Sequence, residues 1–134
     1  MIRIYAGYNN RICVYDYART HPIIEIPLKG LVSALTTLND IILCGTFEGT
    51  FLVIKDKKTV YSQIMTGGGI TQIQVVNDQI FIASRRSIEI QCISLKTFNL
   101  LFSVERNAMT QQRLSIDVGK KLVFGDTVQL DLFI

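Results

Sequence analysis

The chain repeats one pattern of hydrophobic and polar positions about every forty residues. Each copy has an apolar run, a short turn of small or polar residues, a second apolar run and a polar gap. Four copies align with one another, at 2–15, 41–54, 80–93 and 122–133, and the last copy is shortened. Gly45 and Ser84 hold equivalent positions 39 residues apart, and Ser84 and Gly125 are 41 residues apart. This spacing predicts a repeat protein.

The apolar runs predict β-strands rather than helices. Val, Ile, Phe, Tyr and Thr fill runs of about five to seven residues bounded by Gly, Asn, Asp or Lys, and no segment keeps a period of about 3.6 residues over three turns. A repeat of about 40 to 45 residues is typical of one β-propeller blade. We therefore predict an all-β fold, a β-propeller arc of two complete four-stranded blades and two partial ones, with approximate blades at 1–28, 29–66, 67–107 and 108–134.

Fourteen strands are predicted in this arc, among them 2–6, 11–15, 23–27 and 31–38. Propellers typically close with about four to eight blades. An open arc would leave apolar sheet faces and strand edges uncovered. Three completions are compatible with the sequence. The remaining blades lie on another polypeptide, a second copy pairs with the arc, or the chain is a fragment of a longer gene product.

Composition fits one globular unit, with 134 residues of which 49% are hydrophobic and 19% charged. No signal peptide is recognised, and no apolar stretch approaches the roughly 20 residues of a membrane span, so an intracellular protein is predicted. The three cysteines, Cys13, Cys44 and Cys92, sit inside apolar strands and lack a C-x-x-C spacing. Buried thiols are therefore predicted rather than a zinc site, and neither a metal nor a cofactor is expected.

Catalytic chemistry finds no support in the sequence, and no catalytic residue is assigned. The single histidine, His21, lies in a Thr-His-Pro turn, and no carboxylate or nucleophile is placed near it by sequence. Gly67, Gly68 and Gly69 resemble a phosphate-binding loop in composition alone, because no Lys-Ser or Lys-Thr pair follows them. We interpret them as a structural turn between an outer strand and the next inner strand, where a positive φ is needed.

The placement of charge is more informative than the net charge of +3. When loops are assigned to the two faces of a propeller, lysine dominates one face, and five of the seven arginines fall on the other: Arg11, Arg85, Arg86, Arg106 and Arg113. A guanidinium binds phosphate bidentately and stacks on bases. These five arginines are the predicted contacts with RNA or another partner. Solvated turns are the alternative, and Arg113 has the further alternative of a structural bond to a loop carboxylate such as Asp126.

Three stretches carry a resemblance to WD-repeat proteins, and among these to the telomerase Cajal-body protein family. Residues 6–19 are similar to that family's Cys-Gly-Phe-Asn-Arg-Thr-Val-Arg-Val-Phe segment, and 68–71 to its Gly-Gly-Ile-Thr. Thr110 to Arg113 are similar to its Thr-Asn-Gln-Arg, and Leu114 to Asp117 to the aromatic-Asp stretch that follows it. The stretches occur in the family's order and cover nearly the whole chain. Tryptophan and the Gly-His pair of WD repeats are absent, and only Asp16 matches the terminal Trp-Asp.

The resemblance implies a nuclear, non-enzymatic scaffold that helps bind or localise a small nuclear RNA or its RNA-protein particle. The early and final blades of the family have no counterpart in the chain. Two other functions are compatible with the sequence: a propeller that binds proteins without nucleic acid, and an inactive fragment of a longer WD-repeat protein.

Overall fold

The computed structural model describes residues 3–87 and 89–105, together with the backbone of 115–118, 122–125 and 130–133. All regular structure in these residues is β, which confirms the predicted all-β class. No helix in this part of the chain could span a membrane. The strands are β1 Arg3–Asp16, β2 Ile24–Leu38, β3 Ile41–Thr46, β4 Thr50–Lys55, β5 Lys58–Ile64, β6 Ile70–Val76, β7 Gln79–Ser84, β8 Glu89–Ser94, β9 Leu100–Glu105, β10 Ser115–Val118, β11 Leu122–Gly125 and β12 Leu130–Phe133.

The strands form three antiparallel sheets in chain order: a five-stranded sheet of β1 to β5, a four-stranded sheet of β6 to β9, and a three-stranded sheet of β10 to β12. Within each sheet, every strand pairs with the next strand along the chain. The turns use residues that tolerate a positive φ. Asp56 and Lys57 close one hairpin at φ 52° and 65°, and Asn77 and Asp78 close another at 48° and 63°. Two successive positive φ values give the turn twist that suits tight hairpins.

Two pairs of predicted strands are each one continuous strand, which accounts for twelve strands in the described residues instead of the fourteen predicted. The first pair, 2–6 and 11–15, is covered by β1, and the second pair, 23–27 and 31–38, by β2. The first half of β2 pairs with β1 and its second half pairs with β3. Gly30 allows this change of neighbour, with φ 107° and an N–H that donates to Asn10 Oδ1 at 3.0 Å. The predicted boundary at 28–29 therefore lies inside a strand.

A sharp bend divides β1. The hydroxyl oxygens of Tyr8 and Tyr15 lie 3.1 Å apart. A straight strand would separate residues seven positions apart by roughly 23 Å, too far for two tyrosine side chains to bridge. Asn10 has φ 64°, and asparagine enters this left-handed region more readily than most residues. The bend therefore lies at Asn10, between the two predicted strands.

The five-stranded and four-stranded sheets repeat each other in detail. The β2–β3 ladder shifts register between Val32 and Ala34, and the β6–β7 ladder shifts between Ile70 and Gln72. The β4–β5 and β8–β9 ladders also shift at equivalent positions. Ser33 Oγ lies 3.3 Å from Gly45 O, and 38 residues later Thr71 Oγ1 lies at the same distance from Ala83 O. The periodicity of the sequence is thus a periodicity of structure.

The sheets bury both faces of β3 and β4. One face packs against the four-stranded sheet in a core of Leu43, Phe51, Val53, Met65, Ile70, Ile73, Ile80, Ile82 and Ile93. The other face packs against β1 and the first half of β2 in a core of Ile12, Val14, Ile26, Ile42, Cys44, Leu52 and Ile54. Burial on both sides explains why these strands are continuous apolar runs without alternation. The three cysteines are buried as free thiols.

One strand of the four-stranded sheet contacts both of the other sheets. β6 contacts β2 and β10. Two hydroxyls join β2 to β6, because Ser33 Oγ donates to Ile70 O at 2.5 Å and Thr36 Oγ1 donates to Ile73 O at 2.8 Å. Side-chain hydrogen bonds thus fix the five-stranded sheet against the four-stranded sheet along β2 and β6.

Candidate functional site

Three loops meet at one end of the sheets. They follow β3, β5 and β7 and comprise 47–49, 65–69 and 85–87; with Asn10, Arg11 and Gly30 beside them, we call them the arginine end. Backbone hydrogen bonds join the loops in series. Met65 N–H donates to Gly49 O at 2.8 Å, and Arg85 N–H donates to Gly69 O at 2.7 Å. Because these bonds link each loop to the next, the loops form one connected surface.

Glycine makes the close approach of these loops possible. A Cβ on Gly69 would lie 2.7 Å from Phe47 O, and a Cβ on Gly49 would lie 2.8 Å from Gly68 O. Gly68 has φ 73°, in the left-handed region that favours glycine. The turn of Gly67, Gly68 and Gly69 therefore brings the loop that carries Phe47 against the loop that carries Arg85.

Arg85 and Phe47 form a cation–π pair on this surface. The guanidinium carbon of Arg85 lies 5.5 Å from the centroid of the Phe47 ring, within the roughly 6 Å of such contacts. The Phe47 side chain is 53% exposed, and Arg85 is exposed as well. The Phe47 N–H donates to Leu31 O at 2.8 Å, which holds the aromatic residue in place. An exposed ring is thus held beside a cation by the backbone.

A cleft of about 220 Å³ opens beside this pair. Its lining residues are Ser33, Phe47, Gly69, Ile70, Thr71 and Arg85. The hydroxyls of Ser33 and Thr71 donate to backbone carbonyls and keep lone pairs that can accept a hydrogen bond. The cleft therefore combines an aromatic face, a cation and hydrogen-bond acceptors.

The predicted arginines do not all lie together. Arg85 lines the cleft, and Arg86 follows it in the same loop, where the Arg86 N–H donates to Gly67 O at 2.8 Å. Arg11 lies at the same end but on β1, where its guanidinium carbon is 5.4 Å from the Tyr8 ring centroid. Arg106 and Arg113 lie outside the described residues.

The two aromatic residues at this end were not identified from the sequence. Tyr8 and Phe47 are 39 residues apart and occupy equivalent positions in the repeat, and each is exposed with a guanidinium over its ring. The signal that could have identified them is an aromatic residue at the same position of the turn in two successive repeats. Tyr8 also affects its neighbour, since hydrogen bonding to Tyr8, with a smaller contribution from burial, raises the pKa of Tyr15 from 10.0 to about 12.

Net charge does not distinguish the two ends of the sheets. The arginine end also carries Glu48, whose carboxylate accepts the Leu31 N–H at 3.2 Å, and Glu89 and Glu105 lie at its margin. The opposite end carries lysines and aspartates, including the pair of Lys96 and Asp78 at 3.6 Å, the one ion pair among residues 3–87 and 89–105. The arginine end is distinguished by guanidinium groups held beside aromatic rings.

In the part of the chain that the structure describes, no three His, Cys, Asp or Glu residues lie together as the ligands of a metal ion would. His21 is exposed in the turn between β1 and β2.

No protein-family model matches the sequence, and no curated protein is similar to it. Solved structures share its fold. The computationally designed Ika8 protein matches 97% of this chain with a TM-score of 0.80 at 14% identity, and the designed Ika4 protein matches 98% with a TM-score of 0.78 at 17% identity. AztD of Citrobacter koseri matches 81% with a TM-score of 0.69 at 14% identity. The chain spans 42% of Ika8, 84% of Ika4 and 33% of AztD.

Proposed function

We propose that the sheets are consecutive blades of a degenerate WD-repeat β-propeller. Three observations support this architecture. The sheets follow one another as antiparallel meanders, the five-stranded and four-stranded sheets pack against each other through an apolar core, and β6 contacts both β2 and β10. In a propeller, four-stranded sheets are arranged in this way around a central channel.

We further propose that the protein is a non-enzymatic scaffold in the nucleus that binds a small nuclear RNA or its RNA-protein particle at the arginine end. The observation that carries this proposal is the Arg85–Phe47 pair beside Arg86 and an open cleft. Guanidinium groups bind phosphate oxygens bidentately. Aromatic side chains stack on the unpaired bases that RNA presents in loops and at ends. The nuclear location and the class of RNA rest on the sequence resemblance.

A charge-reversal pair of variants tests RNA binding. The first variant combines Arg11→Glu, Arg85→Glu and Arg86→Glu. The control combines Arg19→Glu, Lys57→Glu and Lys58→Glu, which changes the net charge equally at the opposite end. The probe is a fluorescently labelled small RNA of the H/ACA class, the class that the resemblance to the telomerase Cajal-body protein family implies. The measurement is fluorescence anisotropy across a salt series. We expect the arginine variant to bind much more weakly, with a log–log salt slope shallower by about 2, because three phosphate contacts are lost.

The outcome that contradicts RNA binding is equal weakening in both variants, or a complex of the native chain whose affinity does not depend on salt. Equal weakening would show that the location of the positive charges is unimportant. An affinity that does not depend on salt would show that the chain does not contact phosphates.

A protein partner is the second candidate, and Glu48 at the same surface is the observation that favours it. The variant Glu48→Gln removes the charge and keeps an acceptor for the Leu31 N–H. Neutralising Glu48 strengthens binding of a polyanion, because a like charge is removed, and weakens binding of a cationic peptide. A pull-down from nuclear extract in which the triple arginine reversal leaves RNA retention unchanged would favour the protein partner.

A further inference from the structure

We infer that Phe47 and Arg85 form a stacking platform for one unpaired nucleobase, so that the arginine end binds single-stranded rather than double-stranded RNA. This inference rests on the proposed RNA-binding function and specifies how the site recognises its ligand.

The first step concerns exposure. Phe47 is 53% exposed at the tip of the loop between β3 and β4, outside all three apolar cores of the described residues. A large ring in that position contributes little to the hydrophobic core. About half of Phe47 remains exposed beside the guanidinium, and a planar ligand would bury apolar area there on binding.

The second step concerns order. Phe47 N–H donates to Leu31 O, and Phe47 O lies so close to Gly69 that no Cβ could be added there. Arg85 N–H donates to Gly69 O at 2.7 Å. The backbones of both partners of the cation–π pair are therefore fixed against the same glycine, so the two side chains start from defined positions before a ligand arrives. A preformed site loses less conformational entropy on binding.

The third step concerns the ligand. The cleft of about 220 Å³ beside the ring offers the hydroxyls of Ser33 and Thr71, which suit the polar edge of a base. Arg86 lies next to Arg85 and is exposed, where it can reach a backbone phosphate. In a duplex the base faces are stacked on each other and closed to such a platform. The combination therefore selects an unstacked base with its phosphate.

The chain contains no tryptophan, so the variant Phe47→Trp provides a single fluorescent reporter at the platform. The matched control is Tyr17→Trp, since Tyr17 is 72% exposed in the turn between β1 and β2 at the opposite end. The probes are single-stranded oligouridylate, a duplex of equal length, and an abasic sugar-phosphate strand of equal length. We expect the single strand to quench the fluorescence of the Phe47→Trp variant and to leave that of the Tyr17→Trp variant unchanged. We also expect Phe47→Leu to weaken single-strand binding about tenfold, whereas Phe47→Tyr retains it.

The results separate the platform from the proposed function. If the abasic strand binds as tightly as oligouridylate and Phe47→Leu has no effect, while the triple arginine reversal still abolishes binding, the platform is wrong and phosphate binding at the arginine end stands. Preference for the duplex also overturns the platform. If neither the single strand nor the abasic strand nor the H/ACA-class RNA binds the native chain, the proposed function and the platform are both wrong. Circular dichroism of every variant verifies that the β structure is intact.

Discussion

At the scale of single residues, Thr46 shows how the core fixes the position of the candidate site. Thr46 is fully buried at the end of β3, and its Oγ1 accepts the Thr50 N–H at 2.9 Å. An unpaired buried N–H would cost about 1–3 kcal/mol. This bond closes the loop that carries Phe47 and Glu48, so a side chain in the interior determines where an exposed aromatic ring lies.

Cys44 gives a residue-scale prediction for alkaline pH. The thiol is buried in the apolar core between β1 with the first half of β2 and the strands β3 and β4. Burial raises its pKa from 9.0 to about 12. Between these values the native state keeps a proton that the unfolded state releases. The free energy of unfolding is therefore not reduced by ionisation of this thiol below pH 9. As the pH rises toward 12, ionisation in the unfolded state lowers it by at most about 1.4 kcal/mol per pH unit.

The test is urea unfolding of the native chain and of Cys44→Ala at several pH values. The variant is less stable throughout because of the cavity, but above pH 9 its free energy of unfolding should fall less steeply than that of the native chain. Below pH 8.5 the two curves should run parallel. Equal slopes between pH 9 and 11 would contradict the proposed contribution of this thiol.

Some site residues could be identified from the sequence at this scale and others could not. Arg85 and Arg86 follow an apolar run directly, so the repeat alone assigns them to a loop at a particular end. The sequence does not identify Phe47 as exposed, because an aromatic residue next to a strand is usually interpreted as part of the hydrophobic core. Its exposure depends on Gly69 of the next repeat, whose lack of a side chain makes room for the Phe47 carbonyl.

At the scale of strands, β8 and β9 place two like charges opposite each other, and a single substitution can remove the repulsion. Glu89 and Glu105 are directly opposite each other in the antiparallel ladder, and both are exposed. Like charges in this arrangement are destabilising, whereas opposite charges contribute roughly 0.2–1 kcal/mol. We therefore predict that Glu105→Lys raises the free energy of unfolding by about 0.5 kcal/mol.

A double-mutant cycle checks this prediction in low salt. Glu89→Lys should stabilise similarly, and the double variant with lysine at both positions should lose the gain because like charges face each other again. The gain should shrink at 1 M salt, where exposed charges are screened. A gain that persists in the double variant would show that the effect does not come from the pair.

The limits of strand prediction also have a physical cause. The strands from β3 to β8 were found because apolar residues recur in each of them between turns of polar residues or glycine. The fusion of 23–27 and 31–38 into β2 was missed because Lys29 and Gly30, residue types that were expected to bound strands, separate the two runs. A glycine at φ 107° permits either a turn or a bulged continuation of the strand. The hydrogen bond from the Gly30 N–H to Asn10 favours the continuation. That partner lies 20 residues away.

At the scale of the whole molecule, the five-stranded and four-stranded sheets pack against each other, while their edge strands β5 and β9 are mostly exposed. Burial alternates poorly along β9, where Leu100, Leu101 and Phe102 are successively 59%, 49% and 40% exposed. A strand with apolar side chains on both faces, at the edge of the four-stranded sheet, can pair with another chain through its free backbone groups. We expect this strand to mediate association in solution.

Leu101→Lys tests whether β9 mediates that association. A charge on the outer strand should block edge pairing because its desolvation is unfavourable, while the exposed position keeps the loss of folding stability small. Ser103→Lys, on the same strand and also exposed, adds the same charge without removing an apolar side chain. Light scattering across a concentration series should give a larger mass for the native chain than for Leu101→Lys, with Ser103→Lys between them. If all three proteins have the mass of one chain at every concentration, the exposed residues of β9 do not drive association, and the stacked sheets are stable in solution with this edge uncovered.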